Sequence, residues 1–145
     1  MCYEAIYVPE GEMKPPKEVI MSNKDILKYV KYFGCISSDR GIGALDEKGE
    51  LVGAAWYRLF DSDSKGYGYI SDNIPEVSMA VKADFRGQGI GTKLLQNLIS
   101  KARDEEYSAL SLSVDPINPA VRIYERLGFK RVGECGTSWT MKLEL

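Results

Sequence analysis

The chain contains no histidine. That absence removes Ser-His-Asp and Cys-His nucleophilic schemes, HExxH metalloproteases and most catalytic zinc sites. Catalysis must then rest on Asp, Glu, Tyr, Lys, Cys or the backbone, which suits a reaction where positioning matters more than a strong base. Cysteine is nearly absent too. Cys2, Cys35 and Cys135 are odd in number and far apart. They fit neither a disulfide framework nor a paired zinc knuckle, and a reducing cytoplasm is the expected compartment. No run approaches the roughly 18–20 apolar residues that span a bilayer. The start, Met1 to Tyr7, lacks the basic-then-apolar pattern of a secretory signal. Neither a membrane nor export is therefore expected. Basic residues show no excess: 19 Lys and Arg against 21 Asp and Glu give a net charge of −2. Interleaved charge of this kind argues against a nucleic-acid partner, but not against a local site for a small anion.

What is present is the composition of a soluble globular protein, 44% hydrophobic and 28% charged over 145 residues. That length forms one ordinary domain with a real core, expected to run over residues 1–145 without repeat, low-complexity tract or linker. The prolines in Gly11-Glu12-Met13-Lys14-Pro15-Pro16 make a loop. Ser22 or Asn23 is placed to cap a helix through Phe33, with Ile26, Leu27, Val30 and Phe33 as its stripe and Gly34 as its stop. Ile42–Leu45 and Leu51–Leu59 read as strands joined by a hairpin over Asp46 to Glu50. Asp61 to Gly66 is a polar loop, and Ile74–Val81 reads as a central strand. Ile90, Leu94, Leu95, Leu98, Ile99 and Ala102 recur at helical spacing. Ala109–Val114 is a further strand. Asn118-Pro119 reads as a cap followed by proline at the first helical position, and that helix runs to Leu127 before Gly128. Phe129–Val132 and Ser138–Leu143 close the chain as strands. The order predicts a mixed α/β (α+β type) fold, a mostly antiparallel sheet flanked by helices, with a parallel pair across the long helix. Ser138–Leu143 is expected as an exposed edge, through which a homodimer would form.

The most informative segment joins the strand ending at Val81 to the long helix. Gly87, Gly89 and Gly91 alternate there, with Arg86 before them and Thr92 after. Glycines let backbone approach a ligand and aim several N–H groups one way, and a helix N-terminus adds partial positive charge. The result is an anion site fit for phosphate or pyrophosphate. A Walker A loop is excluded, because Thr92 and Lys93 come in the reverse order. A dinucleotide fingerprint is excluded too, since the spacing is Gly-x-Gly-x-Gly and there is no early βαβ unit with an acidic residue at the expected distance.

These residues resemble the GNAT superfamily of acyl-CoA-dependent N-acyltransferases. Arg86, Gly89 and Gly91 match its Arg/Gln-x-x-Gly-x-Gly/Ala motif. The stretch from Asn118 through Ala120 and Tyr124 to Gly128-Phe129 is similar to its second motif, with Ala120 one position early. Together the two cover about a third of the chain. The resemblance implies a splayed parallel strand pair at the cofactor cleft. It also implies transfer of an acetyl group from acetyl-CoA to an amine by direct attack, with no metal.

It assigns the pyrophosphate to the loop Arg86, Gly87, Gln88, Gly89, Ile90, Gly91 and Thr92. It assigns the pantetheine arm to the backbone of Met79, Ala80 and Val81, with an N–H near Met79 polarising the thioester carbonyl. Tyr124 holds the position of the acid that protonates the leaving thiolate; otherwise it is an aromatic packed on the sheet. Glu76 is the candidate base, acting through water, or else a charge at a strand end. Asn118 caps its helix and, by resemblance, also contacts the cofactor arm. Lys93 and Arg122 are either near the nucleotide's other phosphate or simply solvated helix charges.

The acceptor is an amine of a small molecule or a peptide. The regions that take it in the family hold Tyr29, Tyr32, Trp56, Tyr57, Tyr67 and Tyr69 here, with Asp61, Asp63 and Asp72 nearby, a set suited to a cationic amine. The N-terminal section is short for two family helices, and an open acceptor cleft is expected. A non-catalytic acyl-CoA sensor on the same fold is the alternative.

Overall fold

The computed structural model describes residues 23–31 and 33–145. The loop expected around Gly11 to Pro16, and Cys2, Ser22 and Tyr32, lie outside the described residues. The elements are α1 (Lys24–Leu27), β1 (Arg40–Leu45), β2 (Leu51–Arg58), β3 (Glu76–Val81), a 3₁₀ turn (Ala83–Phe85), α2 (Ile90–Asp104), β4 (Ala109–Val114), α3 (Val121–Arg126), β5 (Lys130–Cys135) and β6 (Ser138–Glu144). The strands form one sheet in the order β1-β2-β3-β4-β6-β5. Every neighbouring pair is antiparallel except β3 with β4. This is the mixed, mostly antiparallel sheet read from the sequence. Among the described residues no helix is long and apolar enough to cross a membrane.

Strand alternation gives the sheet two unlike faces. Ala55, Tyr57, Val77, Leu110, Leu112, Val114, Met141 and Leu143 belong to the apolar core, together with Leu94, Leu95, Leu98, Ile99 and Ala102 of α2. Those α2 positions are the stripe read from the sequence, and the helix packs across β1, β2 and β3. The register partners Arg58, Glu76 and Ser111 belong to the opposite face, and all three are buried. Asp39, Lys28 and Lys31 supply the partners of Arg58 on that side, and Gly68 in the connection from β2 to β3 supplies one for Glu76.

Two expectations are corrected. The helix expected from Asn23 to Phe33 ends at Leu27. Asn23 does cap it, its Oδ1 accepting from Asp25 N–H at 2.9 Å. Beyond Leu27, side chains of β2 take the carbonyls a longer helix would use. Arg58 Nη1 donates to the carbonyls of Lys28 (3.0 Å) and Lys31 (2.7 Å), and Trp56 Nε1 donates to that of Tyr29 (3.1 Å). Phe33, read as part of an apolar stripe, is exposed instead, with the Arg58 guanidinium 5.4 Å from its ring centroid.

The second correction concerns β6, which is not an edge. The turn at Gly136 and Thr137 folds the chain so that β6 pairs with β4 on one side and β5 on the other. The edge strand at that end of the sheet is β5, which carries Lys130, Arg131 and Glu134 and a register irregularity between Arg131 and Gly133. Charge and a bulge on an edge both discourage pairing with another chain.

Arg58 binds Asp39 with two hydrogen bonds, Nε to Oδ1 at 2.9 Å and Nη2 to Oδ2 at 2.7 Å, and neither side chain is exposed. Burial alone would raise the Asp39 pKa. The Arg58 hydrogen bonds and the Gly34 N–H outweigh it and hold the carboxyl below its usual value. Removing one partner of such a pair strands a buried charge. Arg58→Ala is expected to lose about 3–5 kcal/mol of stability in urea denaturation at pH 7. A loss under about 1 kcal/mol, the range of an exposed pair, would contradict this role.

Candidate active site

The glycine loop leaves β3 and enters α2 without any side-chain cap. Gly87 (φ 78°) and Gly89 (φ 79°) both lie in the left-handed region, where a side chain would be strained. Gly89 is the formal N-cap of α2 and supplies no capping side chain. The helix's own ladder starts with Lys93 N–H on the Gly89 carbonyl at 3.1 Å. The N–H groups of Ile90, Gly91 and Thr92 precede that ladder and are open to an anion. Gly91 is buried against β3, where a Cβ would sit 3.1 Å from Met79 Sδ. Arg86 is anchored by its Nε on the Val81 carbonyl at 2.9 Å.

β3 and β4 touch and then part. Their one ladder pair is Glu76↔Ser111, with Ser111 N–H donating to the Pro75 carbonyl at 3.0 Å. Residues two apart on a strand aim their backbone groups the same way, so Val77, Met79 and Val81 follow Pro75 toward β4. Lys82 N–H meets the Val52 carbonyl at 2.8 Å, which sets the even-numbered residues toward β2. The Met79 N–H therefore faces the gap, while the backbone of Ala80 is spent on β2. Of the three residues expected to present backbone to a ligand, this parity aims Met79 and Val81 at the gap and Ala80 away from it, and the Val81 carbonyl already accepts from Arg86.

A cleft of about 1380 Å³ fills the gap. It is lined by Glu76, Met79, Ala80, Val81, Arg86, Gly87, Gly89, Ile90, Gly91, Thr92, Asn118 and Tyr124. Gln88 is exposed at the loop tip, outside the lining. Lys93 lines the cleft and Arg122 does not.

Glu76 is 3% exposed, and its Oε1 accepts from Gly68 N–H at 2.9 Å. Burial pushes its carboxyl up to about 7, against the opposing pull of hydrogen bonds from Tyr29 and Gly68 and the charge of Lys28. Tyr124 packs on Phe129 with ring centroids 5.9 Å apart, and burial pushes its phenol up to about 12. Asn118 Oδ1 accepts from Ala120 N–H at 2.9 Å in the turn that precedes the helix, and the cap expected at Asn118 is corrected: the N-cap is Ala120, which makes no side-chain cap bond. The helix proper starts at Val121, two residues later than expected.

The Acetyltransferase (GNAT) family model matches residues 6–129. The chain belongs to the GNAT family. Mycothiol acetyltransferase of Propionibacterium freudenreichii is 36% identical over 90 residues, 61% of this chain and 27% of that protein. A solved ribosomal-protein-alanine N-acetyltransferase from Brucella melitensis is 26% identical with a TM-score of 0.59, covering 72% of this chain and 68% of that one. An N-acetyltransferase from Thermoplasma acidophilum in complex with coenzyme A shares the fold, with a TM-score of 0.61 at 18% identity, covering 74% of this chain and 61% of that one. This chain thus spans about a quarter of the length of that first relative, and about half of an L-methionine sulfoximine/L-methionine sulfone acetyltransferase of Pseudomonas aeruginosa, 33% identical over 92 residues or 63% of this chain.

On this GNAT scaffold the aromatic residues singled out in the sequence separate. Tyr29, Trp56 and Tyr67 line the cleft beside Glu76. Tyr57 points to the opposite face, where its hydroxyl donates to Glu105 Oε2 at 2.9 Å. Tyr69 bonds Asp72, and Asp61 accepts from the N–H groups of Asp63 and Ser64 in its own turn. Neither aspartate, nor Asp63, lines the cleft. Ser78, Ser113 and Arg126 do, and sequence reasoning missed them. The alternation of Ser111 and Ser113 with Leu110, Leu112 and Val114 was the available signal.

A buried carboxyl raised to about 7 works against folding above its ordinary pKa of 4.5. Between those values the native state holds a proton that the unfolded state has lost, so the contribution of Glu76 to stability falls as pH rises through that window. Glu76→Gln is expected to be about 1–3 kcal/mol more stable than the parent at pH 8 and to lose that advantage near pH 4. Equal stability of the two proteins at pH 8 would contradict the raised carboxyl.

Proposed function

We propose that this chain transfers an acetyl group from acetyl-CoA to a primary amine by direct attack. One observation carries the reading: an uncapped helix N-terminus, an unpaired strand edge, a buried carboxyl and a phenol all open on one cleft. The donor thioester supplies an activated acyl carbon. The N–H groups of Gly89, Ile90, Gly91 and Thr92, beside Arg86, Gly87 and Gln88, hold its pyrophosphate. The Met79 N–H lies in the unpaired row and donates to the acyl carbonyl oxygen, where negative charge develops on attack. Asn118, its Oδ1 committed to Ala120, has its amide N–H₂ for the pantetheine arm.

Glu76 takes the proton that the amine sheds, directly or through water. An amine with a pKa of about 10.4 is mostly protonated at neutral pH, and a base poised near 7 is matched to that task. Tyr124 gives its proton to the leaving thiolate. Its raised pKa keeps the phenol protonated at every working pH. The acceptor half is the cleft around Tyr29, Trp56 and Tyr67, where an amine borne by a small molecule or a peptide meets aromatic walls beside one carboxyl.

The direct test is acetyl-CoA binding, followed by free-thiol release against a panel of amines. Binding with amine-dependent thiol release is expected. Binding without release on any amine would leave a donor-binding module, and no binding would end the proposal. Tyr124→Phe is expected to lower kcat about 10²-fold with KM for acetyl-CoA little changed. Full turnover by that variant across the pH range would remove Tyr124 from the mechanism.

A further inference from the structure

A cluster of polar contacts away from the donor half ties three segments of the chain to Glu76. Tyr67 N–H donates to the Tyr29 hydroxyl at 2.6 Å, and Gly68 N–H donates to Glu76 Oε1 at 2.9 Å. The Tyr29 hydroxyl and the Glu76 carboxyl meet at Gly66, where a Cβ would fall 2.9 Å from Tyr29 Oη and 2.2 Å from Glu76 Oε1. The rings of Tyr29 and Tyr67 stack at 6.3 Å, and Phe60 packs edge-on against Tyr29 at 5.0 Å. Gly68 lies so close to β4 that a Cβ there would fall 2.5 Å from the Leu112 carbonyl carbon. The tip of the β2–β3 connection is thus pressed against β4 one residue past Ser111, the last point at which β4 pairs with β3.

We propose that Tyr29 is a positioning residue for Glu76: its hydroxyl latches the Gly66–Gly68 tip at the β3–β4 junction, and the latched tip fixes the carboxyl at the acceptor half of the cleft. The catalytic consequence rests on Glu76 being the base. Tyr29 stands two residues beyond the end of α1, held by the bond from Trp56 to its carbonyl, so the phenol reaches Glu76 from a backbone that β2 has fixed.

The other groups around Glu76 do not duplicate this contact. Lys28 acts on it by charge alone, being bonded to the Lys65 carbonyl. Arg58, the register partner on β2, is committed to Asp39, Lys28 and Lys31. Ser111, the register partner on β4, has a buried hydroxyl with no hydrogen-bond partner among the described residues. Tyr67 contributes its backbone N–H to the Tyr29 hydroxyl and its ring to the stack.

The test is Tyr29→Phe in the full chain, which keeps the ring stack and removes the latch. A hydrogen bond to the ionised form favours that form, so its loss raises the carboxyl pKa. The Glu76 resonance, followed by ¹³C NMR, is expected to titrate about one pH unit higher or more. The limb of kcat/KM for the amine that reports base ionisation is expected to move the same way, with acetyl-CoA affinity unchanged. Gly68→Ala, which displaces the tip, is expected to shift both readouts in the same direction. If that variant does not fold, Tyr29→Phe alone decides.

Unchanged Glu76 titration in Tyr29→Phe would overturn the proposal. Glu76→Gln, run alongside, separates the two ideas. A pH–rate profile unaltered by it would remove Glu76 as the base, while the NMR titration still decides whether Tyr29 sets the carboxyl.

Discussion

β3 and β4 share the pair Glu76↔Ser111 and then diverge, and the backbone row left unpaired on β3 is the constraint around which the cleft is organised. A buried strand edge needs partners, because unpaired N–H and C=O groups cost free energy. Here the gap opens toward α2, whose first turn likewise has N–H groups without intrahelical partners. Two sets of open donors therefore border one space. A long anionic molecule with an amide-bearing arm would satisfy both sets, as the donor proposed above would.

The opposite end of the gap is organised by burial. Glu76 sits at the junction, where solvent is nearly excluded, and its carboxyl is raised toward neutrality in spite of its hydrogen bonds from Tyr29 and Gly68. A core optimised for stability alone would not keep a carboxyl there. Its place beside Tyr29, Trp56 and Tyr67 fits the base role proposed for it, since activity and stability commonly pull apart at functional sites.

Much of this was legible in the sequence wherever a local rule governed. The α2 stripe from Leu94 to Ala102, β4 at Ala109–Val114, and the Gly87-x-Gly89-x-Gly91 turn depend on short-range periodicity and backbone conformation, and the structure has them where they were read. What was not legible depends on partners distant in sequence. The helix after Asn23 stops because Arg58 and Trp56, about 30 residues later, take its carbonyls. Strand β6 is interior because the β5–β6 hairpin folds back onto β4, which strand propensity does not specify. Tyr57 and Trp56 had equal standing as acceptor aromatics until the sheet register set them on opposite faces. The tie from Gly68 to Glu76 spans eight residues of irregular loop and has no sequence signature.

The most direct test of the account is a crystal structure of the chain with a non-hydrolysable acetyl-CoA analogue. Pyrophosphate oxygens are expected on the N–H groups of the α2 first turn and the acyl carbonyl on the Met79 N–H, with the arm lying between β3 and Asn118. An analogue bound elsewhere, with the β3–β4 gap left to solvent, would contradict it.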